Sequence, residues 1–68
     1  MLIQDLPKGA RFHFLPGARH NETPNGWVFL GMEDDQAVAI EAAAMASWEP
    51  GMLWGDVAFD PTDPVALD

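Results

Sequence analysis

The chain has 68 residues, no cysteine, and a formal net charge of -8 from eleven acidic and three basic residues. So short a chain makes one small domain, residues 1–68, without room for a deep cofactor cleft. Neither disulfides nor a zinc–thiolate centre can supplement its core. The acidity disfavours direct nucleic-acid binding, which needs a basic footprint, and docking on an anionic membrane.

The charge is polarised along the sequence. Lys8, Arg11 and Arg19 face only Asp5 in the first nineteen residues, and the remaining ten acids have no base among them. Solubility alone explains an acidic surface. An ordinary solvated face mixes both signs, however, so the lack of any base after Arg19 favours a surface made for a basic partner. With no basic stretch leading into an apolar one at Met1-Leu2-Ile3-Gln4-Asp5, a cytoplasmic location is expected. The longest apolar run, Ala42 to Ala46, falls far short of the ~20 residues that span a bilayer.

Stability has to come from apolar burial, and large aromatics bury roughly 150–250 Å² each. Two turn signals, Leu6-Pro7-Lys8-Gly9 and Leu15-Pro16-Gly17-Ala18, flank Arg11-Phe12-His13-Phe14-Leu15, which alternates as a strand. A polar loop follows over residues 16–26. Trp27-Val28-Phe29-Leu30-Gly31-Met32 then reads as a buried strand, with Gly31 marking a bulge or a close backbone approach. Glu33-Asp34-Asp35-Gln36 is the expected hairpin tip, where every carboxylate reaches water. Ala37-Val38-Ala39-Ile40 returns from it, with Val38 and Ile40 expected inward on a period of two.

A rival reading caps a helix at Asp34 or Asp35 and continues it to Pro50-Gly51. Glu41 would then fall in the apolar arc set by Val38, Ile40, Ala44 and Trp48. The strand reading through Ile40 is therefore preferred, with a short helical turn left open over Glu41–Trp48. Leu53–Phe59 is a further strand, Asp60-Pro61-Thr62-Asp63-Pro64 a rigid loop, and Val65-Ala66-Leu67 a short edge strand. The expected fold is mainly β: a strongly bent antiparallel sheet or SH3-like barrel of four to five short strands. Phe12, Phe14, Trp27, Phe29, Val38, Ile40 and Phe59 should share its core.

No catalytic or metal signature emerges. The single serine, Ser47, lacks nucleophile-elbow glycines, and there is neither Cys nor Tyr. His13 and His20 are not at a zinc spacing, and Glu33, Asp34 and Asp35 lack the ligand alternation and glycine of a calcium loop. Asp60 and Asp63 are expected to cap turns beside their prolines. The reading is non-enzymatic, with no cofactor. Trp48 and Trp54 flank Glu49-Pro50-Gly51-Met52-Leu53. They are either core residues or, with Met52, an exposed partner-binding anchor ringed by acids. The candidate partner-binding residues are Glu33, Asp34, Asp35, Glu41, Glu49 and Asp56, with Trp48 and Trp54.

The build "LPKGARFHF…WVFLGM" resembles small phage or mobile-element barrel proteins that begin with a Pro-Gly turn and carry a tryptophan in the second strand. In size, acidity and lack of catalytic residues the chain also resembles anti-CRISPR proteins, above all those occupying a DNA-binding surface of a Cascade-type complex. Anti-CRISPR proteins share no common motif, so no residue role carries over. The resemblance implies an inhibitor of a host defence complex, acting as a monomer or small homo-oligomer on a CRISPR effector subunit through a DNA-mimicking face. The competing expectation is an acidic phage or bacterial structural or adaptor protein that assembles through the Trp/Met surface.

Overall fold

The structure, a computed structural model, describes residues 1–16, 25–47 and 55–68. Five strands, β1 (Arg11–Phe14), β2 (Trp27–Glu33), β3 (Gln36–Glu41), β4 (Asp56–Phe59) and β5 (Val65–Leu67), form one antiparallel sheet in the order β4-β3-β2-β1-β5. The sheet is open, with β4 and β5 at its two edges. Helical geometry among the described residues is confined to 3-10 turns at Ile3–Asp5 and Ala42–Ser47. The mainly β expectation holds. Residues 36–41 are strand, so the long helix from Asp34 or Asp35 does not form.

The sheet is strongly bent. Two strands separate β1 from β4, which on a flat sheet would hold their backbones about 14 Å apart. Yet the Phe14 and Phe59 rings lie 4.9 Å apart, centroid to centroid. Trp27 stands edge-on to both, at 6.0 Å from Phe14 and 5.0 Å from Phe59, and Phe12 meets Phe14 at 5.5 Å. Edge-to-face pairs of this kind add about 0.5–1.5 kcal/mol each beyond their buried area. Trp27 Nε1 is buried with no hydrogen-bond partner among the described residues, a cost that the ring packing around it has to offset.

The concave face is closed by the N-terminal segment. Ile3 N–H donates to the Asp63 carbonyl, Gln4 N–H to that of Pro61, and Val65 N–H to that of Met1. These bonds tie residues 1–4 to the loop between β4 and β5, and Ile3, Leu6 and Val65 complete the core beneath.

One expectation about β3 is overturned. Ala37 and Ala39 face the core, whereas Val38 is half-buried and Ile40 is buried on the opposite face beside Val28. The cause is a β-bulge. Glu33 pairs with Gln36, Met32 with Ala37 and Gly31 with Val38, but Phe29 pairs with Ala39. Leu30 is the extra residue. In an unbulged ladder Leu30 would oppose Ala39 and Phe29 would oppose Ile40, and the period-two expectation would have held. Gly31, with φ 124°, supplies the backbone geometry of the bulge.

Trp27→Ala should cost about 3–5 kcal/mol, enough to abolish the thermal transition of a domain this small; a variant that melts with the parent would refute the core assignment. Deleting Leu30 should remove the bulge and leave Phe29 opposite Ala39 in a regular ladder, and the loss of the added twist should lower the melting temperature. Leu30→Ala, which keeps the residue count, should still melt cooperatively.

Candidate acidic interface

The turn between β2 and β3 is a two-residue loop of Asp34 and Asp35, with φ 49° and φ 65°. Positive φ at both central residues defines a type I′ turn, whose twist matches the flanking strands and which strongly favours Asn-Gly. Two successive aspartates are a costly solution. Each L-residue in the left-handed region carries strain, which Asp tolerates better than most, and the adjacent carboxylates repel.

The hairpin delivers part of this charge to one place. Glu33, Asp34 and Gln36 from the tip, Val38 from β3, and Asp56, Val57 and Ala58 from β4 line an open groove of about 260 Å³. Its floor is small and apolar, and carboxylates stand at both ends. Asp56 pairs with Ile40, four positions along β3 from Gln36, so the two acidic ends are spaced about 13 Å apart along the strand. Among the described residues His13 Nδ1 donates to Asp68 Oδ1, and no lysine or arginine pairs with a groove carboxylate.

The structure divides the other candidates. Asp35 is exposed at the tip but does not line the groove. Glu41, at the far end of β3, opposes Trp27 and is exposed outside it. Trp48, Glu49 and Trp54 lie outside the described residues, as do Met52 and His20. No family model, characterised protein or solved structure matches this chain.

Other polar groups are engaged locally. Asp60 accepts hydrogen bonds from the Thr62 hydroxyl (2.6 Å) and the Thr62 backbone N–H (2.9 Å). The hydroxyl first, and then the N–H, hold its carboxyl below the usual carboxylate range. A depressed carboxyl stabilises the fold when ionised, so this turn is at full strength at neutral pH and weakens as acid protonates Asp60. The expected cap at Asp60 is present. Asp63 takes part through its backbone, its N–H donating to the Asp60 carbonyl. Ser47 Oγ donates to the Ala44 carbonyl at 3.2 Å, and His13 is held by Asp68. No helix among the described residues is long and apolar enough to cross a membrane.

What sequence reading missed is the gathering of Glu33, Asp34 and Asp56 with the exclusion of Glu41. The signal was the strand parity of Asp56, concealed by the one-residue bulge in β2.

Replacing Asp34-Asp35 by Asn-Gly should raise stability by about 1 kcal/mol, a rise of about 4–8 °C in melting temperature. Thermal denaturation followed by circular dichroism tests this, and an unchanged or lower midpoint would show that the aspartates carry no strain.

Proposed function

We propose that this domain is a non-enzymatic binding module that occupies a basic, nucleic-acid-binding surface of a protein partner, as the anti-CRISPR proteins it resembles do. The observation that supports this reading is the groove bounded by Glu33, Asp34 and Asp56, whose carboxylates have no cationic partner among the described residues. Two of the three are placed there by the β2–β3 turn, whose second residue, Asp35, holds a positive φ that glycine adopts with less strain. Strain retained at an exposed tip is accounted for by a use for the carboxylates, since Asn-Gly would fold better.

The physical mechanism is substitution for phosphates. B-DNA presents a charge about every 3.4 Å along one strand, and same-face positions on a β-strand recur about every 6.6 Å. Carboxylates about 13 Å apart along the strand direction, and two strands apart across it, therefore span a few nucleotides' worth of phosphates. A Lys/Arg groove built for DNA accepts them, and long-range attraction speeds the encounter. A cytoplasmic location and a CRISPR effector target belong to this proposal.

The test begins with capture of partners from a bacterial lysate on the immobilised domain, followed by a DNA-binding assay of whatever is captured. Blocked DNA binding supports the proposal, and a partner that keeps its DNA refutes it, as does a lysate that yields none. Reversing Glu33 and Asp56 to Lys should slow association about tenfold or more, whereas reversing Asp5 and Glu41 should do so much less. The parent should lose its fast association as the Debye length falls from about 10 Å at about 0.1 M salt to about 3 Å at about 1 M. Equal losses from both variants would reduce the effect to net charge.

A further inference from the structure

Strand β4 is an edge of the sheet, and among the described residues no strand pairs with its outer side. Which of its backbone groups face outward follows from the hairpin. In a two-residue hairpin the closing pair, here Glu33 and Gln36, exchanges both hydrogen bonds, and inward and outward residues alternate from there. Gln36, Val38 and Ile40 therefore direct their N–H and C=O groups to β2, and Ala37 and Ala39 direct theirs to β4. Phe29, opposite Ala39, does turn away: its N–H donates to the Ala10 carbonyl, and its carbonyl accepts from Gly9 N–H. Phe59 and Val57 oppose Ala37 and Ala39, so their backbone groups are taken by β3. Those of Asp56 and Ala58 point outward.

Of the three β4 residues that line the acidic groove, Asp56, Val57 and Ala58, the two whose backbone turns outward, Asp56 and Ala58, are those that oppose Ile40 and Val38. We infer that β4 accepts an extended basic segment of the partner as a sixth, antiparallel strand. Its main chain pairs with Asp56 and Ala58, and its lysine or arginine side chains lie in the groove. This rests on the reading of the groove as the partner site and names how the partner docks there.

Charge decides the occupant. A second copy adding through its own β4 would bring two sets of Glu33, Asp34 and Asp56 together, and like charges across a strand pair are destabilising. Short, charged edge strands resist self-pairing in this way. A strand with basic residues at alternate positions meets the opposite situation. Its side chain opposite Asp56 pairs directly, and the next one on that face lies over Ala58, within the field of the carboxylates at the hairpin tip. Strand addition takes its affinity from main-chain hydrogen bonds and its selectivity from alternate side chains.

The probe is an acetylated, amidated peptide of alternating lysine and valine, titrated into the ¹⁵N-labelled domain at low salt. A glutamate/valine peptide and a lysine/valine peptide N-methylated on alternate residues serve as comparisons. The expected result is binding of the lysine peptide alone, with shifts concentrated at Asp56–Ala58 and slowed amide exchange at Ala58. N-methylation along the pairing edge should weaken it about tenfold or more. Salt-sensitive binding that ignores N-methylation would overturn strand addition and leave the acidic site standing. No binding of either lysine peptide would overturn both. Concentration-dependent dimerisation through β4 would overturn the choice of a basic occupant.

Discussion

One extra residue, Leu30, organises this molecule. The β3–β4 pairing sets Phe59 on the face of Ala37 and Asp56 on the face of Ile40. Phe59 is needed in the core against Phe14 and Trp27. That puts Ala37 and Ala39 inward, and Ala39 can oppose Phe29 only if β2 slips by one position before the hairpin tip. In an unslipped sheet Phe29 and Ile40 would share a face, and Asp56 would follow Ile40 into an apolar core. Burying that carboxylate unpaired would cost several kcal/mol. The bulge is therefore the device that lets an aromatic core and an acidic outer face share one short pair of strands.

The same slip explains why the core is built as it is. Ala37 and Ala39 are small, and the rings of the core come from β2 and β4 on either side of them and from β1 beyond. A Val or Ile at those positions would push Phe59 away from Trp27. Bulges increase local twist, and the bend that brings Phe14 to Phe59 is of the kind such twist allows. The N-terminal segment then covers the concave side by backbone pairing with residues 61–65.

These relations determine what could be read from the sequence. The strands of Phe12, Trp27 and Val65, the hairpin tip and the buried aromatics were all legible, because each is a local pattern of alternation and turn residues. Gly31 even marked the bulge. The phase of β3 was not legible, since a period-two pattern is blind to a one-residue slip in the neighbouring strand. "AVAI" offers its larger residues on the wrong parity. Ile3 and Leu6 went unassigned for a different reason: their burial depends on backbone bonds to a loop sixty residues away in the chain, and no local signal encodes these.

The acidic site shows the same limit. Composition alone made the chain acidic and said nothing of where the charge would gather. Glu33 and Asp34 could be placed at a solvated tip from sequence, but Asp56 joins them only through two successive registers, β2 with β3 and β3 with β4. Glu41 leaves the group by the same arithmetic, because it shares the parity of Ala39 rather than of Val38. Parity also settles the backbone. In an antiparallel sheet the residues whose side chains share a face are every second one, and so are the residues whose N–H and C=O groups share an edge. Asp56 and Ala58 thus present side chains to the groove and main chain to the outer edge together. A partner strand drawn by the carboxylates arrives already aligned with the groups that would hold it.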